Sequence, residues 1–193
     1  MMWAPILSAE TVVDASRSNL NSLHIEMNSS GGRLTLKPPK RCFILGVSGN
    51  LSRFSGTGDT PSSLTLAPRT GRRKNDTPLL IPDLGELHQV MSLALHNAPL
   101  GQPISLAFLS RFPNLNSLHL RVNFCDMDLL ARHSRLTDLE LRFMPDLKGF
   151  PSLNVWPSLD SFIAYNVEEF EGKRLKQEMK TRAKTRSWAG MLR

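Results

Sequence analysis

Leu115-Asn-Ser-Leu118-His-Leu120 and, one unit later, Leu136-Thr-Asp-Leu139-Glu-Leu141 are two writings of one phrase, with an apolar residue at positions 1, 4 and 6. Working outward, Val90-Met-Ser-Leu93-Ala-Leu95 and Leu20-Asn-Ser-Leu23-His-Ile25 repeat it. Looser copies begin at Cys42, Pro61 and Leu159, so that the units start in steps of 22, 19, 29, 25, 21 and 23 residues. A recurring unit of this kind cannot bury its apolar face alone, and stacking one unit on the next gives a solenoid with a continuous core.

The phrase carries its own geometry. In an extended segment side chains alternate between faces, so positions 4 and 6 point one way and positions 3, 5 and 7 the other. The leucines then turn inward, while the outward residues line up in columns about 4.8 Å apart if the units stack as parallel strands. Position 5 reads His24, Gly46, Thr65, Ala94, His119, Glu140 and Ile163, and position 7 reads Glu26, Ser48, Ala67, His96, Arg121, Arg142 and Tyr165. Position 3 is mostly small, as at Ser63, Ser92 and Ser117, leaving room beside a charged ridge for another molecule's side chains.

Position 9 is Asn28, Asn50 and Asn123 in three units, where a side-chain amide can bond backbone groups freed as the strand turns away. In the other four it is Arg69, Ala98, Met144 and Val167. With that asparagine and a unit of roughly 20 to 29 residues, the chain resembles the leucine-rich-repeat family. The likeness is clearest over residues 88–167 and looser over 20–87. It implies an α/β fold: a right-handed leucine-rich-repeat solenoid with a curved parallel β-sheet on one face, irregular coils on the other, irregular N-terminal repeats and a C-terminal helix. It also implies a binding surface for proteins, without naming the partner.

Composition agrees with one globular array. The chain has 193 residues, 40% of them hydrophobic, and a net charge of +7. The two cysteines, Cys42 and Cys125, lie several units apart, which argues against a bridge and for a reducing, cytoplasmic setting. Cys125 reads as a small buried filler. No apolar run approaches the roughly 18 residues of a membrane span, and the N-terminus lacks the basic segment of a secretion signal.

Residues 1–19 are expected to cap the array, 20–167 to form it and 168–193 to make a basic helix. Residues 8–14 suit a short helix or strand. Residues 28–60 admit two readings: regular coils, or a local hairpin in which Leu34-Thr-Leu36 folds back through Lys37-Pro-Pro-Lys-Arg41 against Phe43-Ile-Leu45. The polar, basic stretch 67–77 falls at the longest step and reads as a surface insertion; its Arg69, Arg72, Arg73 and Lys74 read as solvated charge. Beyond Val167 acids precede bases, as suits a helix dipole, and Phe170, Leu175, Met179 and Ala183 form a partial apolar stripe. Residues 168–193 hold eight Lys or Arg against four Asp or Glu, a net of +4 out of +7. No closing unit follows, so the C-terminal segment reads as incomplete.

The columns nominate a site. His119 and Glu140 should be hydrogen-bonding neighbours on adjacent strands, and Arg121 and Arg142 neighbours of like charge that need acids nearby. A local charge network accounts for them structurally. The functional reading is an anion-accepting patch of His96, His119, Arg121, Glu140, Arg142 and Tyr165 that binds another protein. Ser117, His119 and Glu140 invite comparison with a hydrolytic triad, but on a flat sheet face without oxyanion donors they are read as coincidence. The histidines show no metal-ligand spacing, and residues 49–58 lack the Gly-Lys-Ser/Thr ending of a phosphate loop. The expectation is a non-enzymatic interaction module without metal or cofactor.

The competing reading places function in the basic helix, where Lys173, Arg174, Lys176, Lys180, Arg182, Lys184 and Arg186 would meet nucleic acid or another anionic surface. Few aromatic residues accompany them, and no recognition motif does. An eroded repeat array with little function of its own is a third reading.

Overall fold

The alternation of leucine with polar residues becomes a strand at every copy of the repeat. The computed structural model describes residues 3–6, 10–27, 32–37, 42, 44–48, 51–55, 62–67, 87–96, 103–121, 124–144, 147–165, 169–183 and 189–192. In chain order the strands are β1 (Trp3–Ile6), β2 (Glu10–Asp14), β3 (Ser22–Met27), β4 (Gly32–Lys37), β5 (Ile44–Ser48), β6 (Leu51–Ser55) and β7 (Ser63–Ala67). Then come β8 (Ser92–His96), β9 (Ile104–Ser105), β10 (Ser117–Arg121), β11 (Phe124–Cys125), β12 (Asp138–Arg142) and β13 (Ser161–Tyr165). Helix α1 (Glu169–Ala183) and strand β14 (Ala189–Leu192) complete the series.

One nine-stranded sheet runs β1-β3-β5-β7-β8-β10-β12-β13-β14, and its paired strands are parallel. Along it Leu23, Leu45, Leu64, Leu93, Leu118, Leu139 and Phe162 each lie opposite the next, and none is more than 1% exposed. Position 6 makes a second buried row, Ile25, Val47, Leu66, Leu95, Leu120, Leu141 and Ala164. The chain is therefore a parallel β-solenoid built on stacked apolar ladders. Each fully buried leucine contributes about 1.5–3 kcal/mol relative to exposure, so register is fixed by the core: a slip of one residue would turn every ladder outward.

Between successive strands of this sheet, the early coils form β2, β4 and β6, which pair in parallel as a second, three-stranded sheet. The hairpin reading of residues 28–60 is thus corrected. The β4 backbone pairs with β2 on one side and β6 on the other, and Leu34 and Leu36, two residues apart on one face, are buried in the common core. Asp14 and Lys37, opposite each other in β2 and β4, form an exposed ion pair at 3.3 Å. In later coils the corresponding stretches are 3-10 helices at Leu106–Arg111, Met127–Arg132 and Leu153–Val155.

These coils return to the sheet through one recurring turn. Leu87, Phe112, His133 and Trp156 each accept, at the carbonyl, the N–H of the residue three positions on, namely Val90, Leu115, Leu136 and Leu159. All four are buried. His133 therefore occupies a slot that neighbouring coils fill with Phe and Trp, and burial pushes its pKa below the usual 6.5.

Two of the edge strands came without warning from the repeat: β1 within the expected cap, and β14 after the helix. Cys42 is buried, as a core thiol should be, but Cys125 is only partly so, which corrects its reading as a buried filler. Cys125 lies in the two-stranded pairing of β11 with β9, whose other member is Ser105. Asn28, Asn50, Asn123 and the basic residues of the stretch 67–77 lie outside the described residues, whereas Met144 at the ninth position is fully buried. Among the described residues, no helix is long and apolar enough to cross a membrane.

Candidate functional site: the outward face of β8, β10, β12 and β13

Register assembles the site. His96, Arg121, Arg142 and Tyr165 form one row across four strands, and Ala94, His119, Glu140 and Ile163 the adjacent row. Ala94, His96, His119, Arg121, Glu140 and Arg142 line a shallow cavity of about 230 Å³. Ala94 supplies the space, since its methyl stands beside the large His119 and Glu140 in the same row.

Glu140 holds the centre. Its side chain is 13% exposed, accepts from Nδ1 of His119 at 2.9 Å and pairs with Nε of Arg142. A carboxylate can only accept, so His119 carries its proton on Nδ1, leaving Nε2 to accept from the Ser117 hydroxyl at 3.2 Å. Burial lowers the His119 pKa first of all, Asp138 raises it, and Arg142 lowers it again. The His119–Glu140 contact is accordingly a hydrogen bond from a neutral imidazole near pH 7, not a full ion pair. His96 is likewise held neutral, by burial and then by Arg121, Arg142 and His119.

Ser117, His119 and Glu140 do form a hydrogen-bonded chain. Around that chain, the Ser117 N–H is spent on the Met91 carbonyl, and Asp138 is the register neighbour of Ser117. An oxyanion forming there would meet a carboxyl group in place of free N–H donors.

The two arginines resolve their repulsion differently. Arg142 is paired with Glu140 and lies over the Tyr165 ring, 5.3 Å from its centroid. Arg121 lies over the Phe143 ring at 5.5 Å and has no acidic partner among the described residues. Phe143 is the contact that alternation alone would miss. Position 8 ought to face inward with positions 4 and 6, but a left-handed backbone (φ 54°) turns this side chain out, leaving it 46% exposed. Its N–H bonds the Tyr165 carbonyl at 3.2 Å, which holds the strained turn in place.

The described basic residues nominated at the C-terminus differ in exposure. Arg182 is buried and donates to the carbonyls of Leu159 and Trp156. Arg174 bonds the Phe150 carbonyl at 2.9 Å and pairs with Glu171 and Glu178. Glu178 in turn accepts the N–H of Leu153 at 2.7 Å, while Leu175 is fully buried and Met179 packs on the core. Ala183, expected in the apolar stripe, is exposed, and Arg182 takes the inward place. Thus α1 seals the last described coil with its own arginines. Lys173, Lys176 and Lys180 are exposed on the helix, while Lys184 and Arg186 lie outside the described residues.

Among the described residues, no group of three His, Cys, Asp or Glu is placed to hold a metal ion. No protein-family model, curated protein or solved structure matches this chain.

Proposed function

We propose that this protein is a leucine-rich-repeat-like interaction module that binds a polypeptide on the outward face of β8, β10, β12 and β13. The observation that carries the reading is the single cavity into which register brings His96, His119, Arg121, Glu140 and Arg142, with Tyr165 stacked at its border. Guanidinium and aromatic groups held rigid by a sheet are the residue types that anchor protein interfaces, since little conformational entropy is left to lose on binding. The repeat length and stacked leucines support the family likeness, and two free cysteines favour a reducing compartment.

The second reading, an anionic surface meeting the helix, draws on the exposed Lys173, Lys176 and Lys180. Affinity purification with three forms separates the two: wild type, Arg121→Glu with Arg142→Glu, and Lys173→Gln with Lys176→Gln and Lys180→Gln. Loss of polypeptide partners with the sheet pair alone supports the face. Loss of nucleic acid with the helix triple alone, and sheet-pair binding equal to wild type, would overturn it.

A further inference from the structure

The cavity on the strand face is unbalanced in charge, and the imbalance specifies what it takes. Both oxygens of Glu140 are committed, one to His119 and one to Arg142. A further acid among the described residues, Asp138 at the far end of the strand, accepts the Thr137 hydroxyl at 2.7 Å. Arg121 is left with an aromatic ring beneath it and, among the described residues, no carboxylate. A guanidinium stacked on a ring keeps its in-plane N–H donors free, because the ring occupies only its face. Those donors are the fork that a carboxylate matches.

Size narrows the class. A cavity of about 230 Å³ is smaller than the roughly 300–1,000 Å³ of most small-molecule sites, and it opens on a sheet surface. It is of a size to take a single side chain. Beside the two arginines, Phe143 and Tyr165 offer apolar area on which a neighbouring part of the same chain can rest.

We infer that the occupant is an acidic segment of a polypeptide, with one Asp or Glu carboxylate seated against Arg121 and the flanking backbone lying over Phe143 and Tyr165. This rests on the strand-face reading above and deepens it by naming the partner's chemistry. A carboxylate suits the site better than a phosphate: the Arg121 guanidinium, without an acidic partner among the described residues, balances one negative charge, and burial keeps His96 and His119 from adding a second near pH 7.

The test is fluorescence anisotropy with the full chain and dye-labelled peptides of alternating Glu and Gly, the same peptide with Gln for Glu, and the same with phosphoserine for Glu. A single-stranded oligonucleotide of similar length serves as the competing anion. The acidic peptide should bind, and the Gln peptide should bind at least about tenfold more weakly. Arg121→Gln should lose a similar factor, while Lys176→Gln on the helix should lose none. Arg121 is exposed, so its replacement leaves the core intact, and an unchanged thermal melt would verify this. Equal binding of the Gln peptide on a face still sensitive to Tyr165→Ala would overturn the carboxylate assignment and leave the strand-face reading standing. Acidic-peptide binding unaffected by Arg121→Gln and Tyr165→Ala would overturn both. Tighter binding of the phosphoserine peptide or the oligonucleotide, or self-association of the chain that outcompetes the peptide, would each reject the acidic segment as occupant.

Discussion

Nδ1 of His119 lies 2.9 Å from Oε2 of Glu140 on the neighbouring parallel strand. That relationship ties the outward face together, because the same carboxylate also holds Arg142, and Arg142 stands in register beside Arg121. Replacing Glu140 with Gln removes the acid that pairs with Arg142, whose register neighbour is the guanidinium of Arg121. The expected cost is about 1–2 kcal/mol in urea unfolding at low salt, shrinking as salt screens the repulsion. A cost independent of salt would mean that Glu140 acts through packing alone.

His133 gives the protein an acid limit. Its pKa in the fold is lowered by burial from 6.5, so below 6.5 the unfolded chain takes up a proton that the folded chain resists. Unfolding free energy therefore falls as pH drops from 6.5 toward the lowered value. His96 and His119 shift in the same direction and add to the slope. His133→Phe, which repeats the occupant of the adjacent coil at Phe112, should make the acid side of the urea-midpoint profile shallower. It should also leave stability near neutrality equal or up to about 1 kcal/mol higher. An unchanged acid slope would contradict the slot assignment.

Arg182 fastens the end helix. Arg182→Ala leaves the carbonyls of Trp156 and Leu159 without their guanidinium and should cost about 2–4 kcal/mol. Lys180→Ala on the exposed side should stay within about 0.5 kcal/mol. Hydrogen exchange should show α1 and the 3-10 turn at Leu153–Val155 losing protection in the Arg182 variant while β10 keeps it.

The two thiols should react in a fixed order. Cys42 is 1% exposed, bonds the Ile44 carbonyl at 3.3 Å and is pushed to a higher pKa by burial. Cys125 is partly exposed, though burial and then Asp126 raise its pKa as well. An alkylating reagent followed by mass spectrometry should label Cys125 first and Cys42 only as the chain unfolds. Equal labelling rates in the native protein would place Cys42 outside the core.

The strand register and the outward columns were legible because a six-residue apolar phrase fixes both the period and the face of each side chain. That is why the sequence alone sets His96, Arg121, Arg142 and Tyr165 in one row. Phe143 was not legible: its exposure depends on a left-handed backbone that only the meeting of two strand ends imposes. The helix arginines misled for a related reason. Charge at a terminus reads as solvated, yet Arg174 and Arg182 find carbonyls at the open end of the coil, which no local pattern announces. The second sheet of β2, β4 and β6 was hidden because its strands lack the repeated phrase and are stabilised by pairing with one another.

The central claim is that successive repeats stack as neighbouring parallel strands, and spin-label distances test it most directly. In a chain with Cys42 and Cys125 replaced by serine, labels at Ser63 and Ser161 sit at matching positions four strands apart, about 19 Å at 4.8 Å per strand. Labels at Ser22 and Ser161 sit six strands apart, so their distance should be longer by about 10 Å, less any shortening from sheet curvature. Narrow distributions in that order are the result expected; equal, reversed or broadly scattered distances would contradict the stacked solenoid and the site built on it.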